Sequence, residues 1–128
     1  MKIKTSEATG MALDWLVATC EGYTNLRVNP HPWDNALLMD PPRVKHGPVY
    51  LADIAFSTDW AQGGPIIERA RLAIQPVDGY IGFSWVAAGD SATLEVFPYE
   101  GTTALEAAMR CYCASQLGDE AEIPEELA

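Results

Sequence analysis

Five prolines between residues 29 and 48 (Pro30, Pro32, Pro41, Pro42 and Pro48) forbid a helix through that stretch. Proline fixes its own φ, lacks an N–H, and pushes its predecessor out of the helical region. Helices can therefore lie only before this segment or after it. Segment 29–48 reads as an irregular, proline-rich connection, and loops this long in compact domains often carry function or move.

Before the prolines, Ile3 with its flanking lysines reads as a short first strand. Ser6 is placed to cap a helix over 8–20, whose Met11, Trp15 and Ala18, with Ala12 and Leu16 beside them, recur at helical spacing. Gly10 weakens its first turn, which implies that something packs close there. Gly22 supplies a left-handed C-terminal residue. Residues 24–28 read as a strand and 36–39 as a short apolar piece.

After the prolines, 49–56 reads as a strand, 57–64 as a loop and 65–69 as a helical turn. Strands over 72–76 and 80–87 flank the Asp78-Gly79 hairpin signature. Gly89-Asp90 makes the next turn, and 93–97 completes a meander, with Leu94 and Val96 on one face. Thr103 and Glu106 fit a capping box for a second helix, whose Leu105, Ala108, Met109 and Tyr112 form the buried stripe. Gly118 ends it. The predicted class is α+β: an antiparallel sheet with two main helices packed on it. One domain covers residues 1–128 and ends in an acidic tail, 119–128.

Hydrophobic residues make up 48% of the chain and charged residues 20%, which excludes wholesale disorder. The net charge of −10 argues against nucleic acid and anionic membranes as partners, since both need a basic surface. It leaves solubility, DNA mimicry or a basic protein partner. Asp119, Glu120, Glu122, Glu125 and Glu126 crowd into the tail, where charge is usually just solvated. No apolar run is long enough to span a bilayer and the N-terminus shows no apolar leader, so the expected location is the cytoplasm.

Cys20, Cys111 and Cys113 have no disulfide-framework spacing, and reduced, partly buried thiols are expected. Cys111 and Cys113 stand two apart, hence about 200° apart on a helix. With only His31 and His46 to add, neither a metal nor any other cofactor is expected.

No nucleophile elbow, phosphate-binding lysine loop or zinc-protease motif is present. Cys20 with His31 or His46 is a poor catalytic pair, because the C-terminal end of a helix does not stabilise a thiolate. Asp53 and Asp59 could do acid–base work only if the fold brings them into one pocket.

The segment richest in binding chemistry runs from residue 57 to residue 71. Gly63 and Gly64 allow close backbone approach, and Pro65 suits a helix start whose free N–H groups attract anions. Trp60 offers a stacking face; Ser57, Thr58, Asp59 and Gln62 offer polar edges; Arg69 and Arg71 could meet a phosphate. The plainer reading competes: a turn at Gly-Gly-Pro, Trp60 in core or interface, Asp59 as a cap for Ala61 and Gln62, and Arg69 paired with Glu68 or Glu95.

Lys2-Ile3-Lys4-Thr5 through Leu13-Asp14-Trp15, the run Ser57-Thr58-Asp59-Trp60-Ala61-Gln62-Gly63-Gly64-Pro65-Ile66-Ile67-Glu68, and Ala107-Ala108-Met109-Arg110-Cys111-Tyr112 with Leu117-Gly118-Asp119-Glu120 resemble the NinX-like family. These are small proteins of lambdoid and related bacteriophages. The resemblance implies an accessory phage protein made in an infected bacterium and implies no enzymatic activity. By analogy with small phage proteins that counter host defence, the expected role is to sequester a nucleotide-type immune signal such as a cyclic nucleotide or ADP-ribose derivative. Such a sponge would act as a homo-oligomer, for which an exposed Trp33 and the meander's edge strand offer surfaces. The alternatives are an acidic inhibitor or adaptor against a host protein, and a small nucleotide hydrolase.

Overall fold

The computed structural model describes residues 1–29, 36–43, 47–79, 82–89 and 99–127. Among them are helices α1 (Gly10–Cys20), α2 (Trp60–Ala70) and α3 (Ala104–Leu117). The strands are β1 (Lys2–Lys4), β2 (Thr24–Val28), β3 (Leu37–Asp40), β4 (Val49–Tyr50), β5 (Ala73–Gly79), β6 (Gly82–Ala88), β7 (Tyr99–Gly101) and β8 (Glu120–Glu122). The class is α+β and every strand pairing is antiparallel. The strands form three small sheets, β1-β8, β2-β3-β4 and β5-β6-β7, where one was expected, and α2 joins the two expected helices.

α3 is the central element, and its sequence says why. The Thr103 hydroxyl accepts the Glu106 N–H at 3.1 Å, and the Glu106 carboxylate accepts the Thr102 N–H at 3.0 Å, a capping box displaced by one residue on its return arm. Leu105, Ala108, Met109 and Tyr112 are all buried, as their spacing predicts. The two faces of α3 serve two cores. Met109, Tyr112 and Cys113 pack with Leu13, Leu16 and Val17 of α1, Ile66 of α2, and Leu51, Ile54 and Phe56. Ala107 and Cys111 pack against Ala87 of β6. The two cysteines thus part to opposite faces, as two-residue spacing on a helix requires. Gly118 closes the helix at φ +85°.

Several local expectations are corrected. Ser6 does not cap α1: it lies in a 3-10 turn, Thr5–Glu7, and Thr9 takes the N-cap position. Thr9 makes no side-chain cap bond; its hydroxyl donates instead to Glu106 at 2.9 Å. Gly10 has nothing packed on it; glycine suits this position because φ is +58°. Met11 is 47% exposed; the expected Leu16 and Ala18 are buried, and Leu13, Asp14 and Val17 share the buried face of α1 with them. A helix so apolar all round hides its inward face from periodicity.

The expected strand over 49–56 stops at Tyr50 and gives way to a 3-10 turn, Leu51–Asp53. Backbone polar groups need partners, and here a side chain supplies them: Gln62 accepts the Ala55 N–H at 2.8 Å and donates to the Asp53 carbonyl at 3.1 Å. In the meander, Asp78 and Gly79 belong to β5 and Gly79 pairs with Gly82; Tyr80 and Ile81 lie outside the described residues. The expected turn at Asp90 and strand over 93–97 also lie outside them. The third strand seen beside β6 is β7. Part of the acidic tail is a strand: β8 pairs with β1, setting Lys2 opposite Glu122 and Lys4 opposite Glu120.

Candidate functional site

The segment 57–71 is mostly helix, and this changes what its residues can do. α2 begins at Trp60, five residues before Pro65. Asp59 is the N-cap: its carboxylate accepts the Ala61 N–H at 3.0 Å, and its carbonyl accepts the N–H groups of Gln62 and Gly63. The helix start therefore already holds a carboxylate from its own chain. Pro65 sits inside the helix, so the carbonyl one turn earlier, on exposed Ala61, loses its usual donor four residues on.

Ser57 is buried. Its N–H donates to Asp14 at 2.8 Å, tying the entrance of α2 to the middle of α1. Burial pushes the Asp14 carboxyl above its ordinary range, and the backbone and hydroxyl bonds from Ser57 oppose that shift. Thr58 is exposed, and its N–H donates to the Ala55 carbonyl at 3.1 Å. Gln62 staples residues 53–55, and its amide also lies 3.4 Å from the Asp59 carboxylate.

Gly63 is where α2 approaches its neighbours most closely. A Cβ there would collide with the Phe56 carbonyl and stand 2.6 Å from a Leu105 methyl. At Gly64 the nearest atom would be the Trp60 ring, at 3.7 Å. The glycine pair thus has one packing member and one open member.

The two arginines stand at the other end of the helix, about 14 Å (Arg69) and about 16 Å (Arg71) along the axis from Trp60 at 1.5 Å of rise per residue. Arg69 pairs with Glu21 at 2.7 Å, and the Tyr112 hydroxyl donates to the same carboxylate at 2.6 Å. That junction binds the C-terminal ends of α1 and α2 to α3. Burial, then the bond to Glu21, pushes the Tyr112 hydroxyl up to about 12. Arg71 closes α2 in the left-handed conformation, φ 55°. Trp60 and Gln62, two residues apart, project about 200° from one another. The structure therefore gathers Asp59, Gln62 and the buried Ser57 at the helix entrance, and does not bring Trp60 or the arginines to them.

Two surfaces flank α2. On the Gln62 side lies a cleft of about 270 Å³ lined by Tyr23, Val49, Asp53, Ile54, Phe56 and Gln62, with no cation among these described residues. The Tyr23 and Phe56 rings meet edge to face there, 6.3 Å apart. The other surface is the outer face of the helix. Trp60 is 54% exposed, Ala61, Pro65 and Glu68 are exposed, and Gly64 is half-buried. At 100° per residue these five fall within one arc of about 140°. The result is an aromatic ring beside small side chains, with Asp59 and Glu68 at its ends.

The Asp14–Ser57 bond and the Glu21–Arg69–Tyr112 junction span 43 to 91 residues of chain, and no local pattern announces them. A larger cleft, about 490 Å³, is walled by Gly22, Thr24, Asp40, Pro41, Pro42, Gly47 and Pro48. The prolines signalled irregular chain there without indicating a cavity. Among the described residues no helix is long and apolar enough to cross a membrane.

No curated protein matches this chain. A family model does: the one described as Bacteriophage P22, NinX aligns with residues 4–116, which contain α1, α2, the Ser57–Pro65 run and all of α3 but its last residue. On that match the chain belongs to the NinX family of bacteriophage proteins.

Proposed function

We propose that this chain is a non-enzymatic phage accessory protein that acts by docking on a basic host protein through the outer face of α2. The observation that carries the reading is Trp60: a tryptophan more than half exposed, beside Ala61, Gly64 and Pro65, and bounded by Asp59 and Glu68. Exposed tryptophans on flat faces are frequent anchors of protein interfaces. Charge supports the same reading. The chain has 18 acidic and 8 basic residues, and Lys2, Arg27, Arg69 and Arg110 are paired internally. The surplus is negative, which steers basic partners toward the protein and falls off with salt.

A tagged chain expressed in the bacterial host and captured at low salt tests the reading. The expected result is one partner, bound to wild type, released as salt rises, and lost with Trp60→Ala but retained with Thr58→Ala. A partner indifferent to Trp60→Ala would overturn the docking face.

A nucleotide-type ligand, sequestered by a homo-oligomer, is the second reading, favoured by Trp60 as a stacking surface. It requires cations near that ring, and Arg69 is engaged by Glu21 at the far end of the helix. A rise in melting temperature with a cyclic dinucleotide, abolished by Trp60→Ala, would favour it over the protein partner. Turnover of that compound would favour a hydrolase.

A further inference from the structure

We propose that the cleft beside Gln62 receives one arginine side chain of a basic protein partner, held by the exposed Asp53 carboxylate and by the Tyr23 and Phe56 rings. This contact presupposes the basic partner of the docking reading, and it lies on the side of α2 away from Trp60. Size narrows the occupant. The cleft holds about 270 Å³, whereas pockets that take whole small molecules run from roughly 300 to 1,000 Å³. That space suits one long side chain better than a nucleotide.

The wall fits a cation on an apolar stem. Ile54 and Phe56 are buried, Tyr23 and Val49 are half-buried, and the Tyr23 ring meets Phe56 edge to face. An arginine stem packs along such a surface while its charged head stays at the water. Two polar groups of the wall are unengaged: among the described residues neither the Asp53 carboxylate nor the Tyr23 hydroxyl has a hydrogen-bond or ion-pair partner. The Gln62 amide, by contrast, is committed. It accepts the Ala55 N–H at 2.8 Å and donates to the Asp53 carbonyl at 3.1 Å. Those bonds hold the 3-10 turn that carries Asp53, so the backbone bearing the carboxylate is set before a partner arrives.

Charge and hydration select arginine. The described lining carries one carboxylate and no cation, in a chain of net charge −10. A guanidinium is weakly hydrated, stacks on aromatic rings and forks onto a carboxylate, whereas an ammonium holds its water more tightly. Trp60 and Gln62 both lie in the first turn of α2, on nearly opposite sides of a helix about 10 Å across. A partner segment lying across the helix start therefore meets the tryptophan with one part and places an arginine in the cleft with another.

The test is an NMR titration of the isotope-labelled whole chain with the peptide acetyl-Gly-Arg-Gly-amide, run beside the same peptide carrying lysine or neutral citrulline. The arginine peptide should give saturable shifts at the amides of Tyr23, Asp53, Ile54, Phe56 and Gln62. The lysine peptide should bind about fivefold more weakly, and the citrulline peptide should leave the cleft unshifted. Asp53→Asn should weaken the arginine peptide about tenfold, and Trp60→Ala should leave its affinity unchanged. Shifts scattered over the acidic surface, equal affinity for lysine and arginine, or binding indifferent to Asp53→Asn would overturn the proposal. The two contacts fail separately. A host partner captured equally by wild type and Asp53→Asn, yet lost with Trp60→Ala, would sink the cleft and keep the docking face. A peptide that fills the cleft as described, with host capture indifferent to Trp60→Ala, would keep the cleft and sink the face.

Discussion

α2 and α3 run close together through the same core and meet opposite demands. α3 buries nine of its fourteen residues, and α2 buries two of eleven, Gly63 and Ile66. α3 is held from both faces, at its start by Thr102, Thr103 and Thr9, and at Arg110 by the carbonyls of Ala8 and Glu100. α2 leans on its neighbours along one narrow line and leaves a broad side in solvent. A helix buried on two faces is a scaffold; a helix that spends an exposed tryptophan on its free side has surface to offer a partner.

The difference also decides what could be read from the sequence. α3 announces itself because its cap, stripe and terminal glycine are all local and agree with one another. α2 carries Gly63, Gly64 and Pro65 in its middle, three residues that propensity rules assign to turns. Its first turn is set by the local Asp59 cap, but its path depends on the close approach of Gly63 to Phe56 and to Leu105, and no window of sequence contains the Leu105 contact. The candidate residues were found as a segment, but their directions were not: helical rotation sends Trp60 and Gln62 apart, and Arg69 is taken by Glu21, 48 residues away. The count of small sheets was equally hidden, because β1 and β8 join opposite ends of the chain.

The sharpest way to break the contrast is to overfill the narrow line on which α2 rests. Gly63→Ala should cost about 3 kcal/mol, read by urea denaturation, because the new methyl meets backbone and has nowhere to go. Gly64→Ala, one residue on, should be neutral or stabilising by up to about 1 kcal/mol, since its methyl would meet only the Trp60 ring, at an ordinary contact distance of 3.7 Å. Equal effects at the two positions would remove the distinction between a packed and a free side.

Tyr112→Phe should cost about 1 kcal/mol by loosening the Glu21 junction, with thermal unfolding as the readout. Glu106→Gln should cost about 1 kcal/mol at neutral pH by weakening the start of α3. Burial pushes the Glu106 carboxyl up, but the bonds from Thr102 and Thr9 and the Arg110 charge outweigh it and hold the group below its ordinary value. Its contribution is present above the unfolded value and is lost as pH falls through the folded one. The gap between variant and wild type should close in acid.

Asp14 has the opposite sign and the smallest expected effect. Its carboxyl is raised in the fold, so its contribution is complete below the unfolded value and is lost as pH rises through the folded one. Asp14→Asn, which keeps an acceptor for the Ser57 N–H, should flatten the pH dependence of stability just above the ordinary carboxylate range. A variant with an unchanged slope would show that Asp14 is as well solvated as a surface acid.

Native mass spectrometry of the chain purified from phage-infected host cells tests the central claim most directly. The account predicts a subunit without small-molecule adduct, associated with a basic protein that departs as salt rises and is missing from the Trp60→Ala preparation. A retained mass of a few hundred daltons per subunit, released only on denaturation, would contradict it and identify the chain as a ligand sponge.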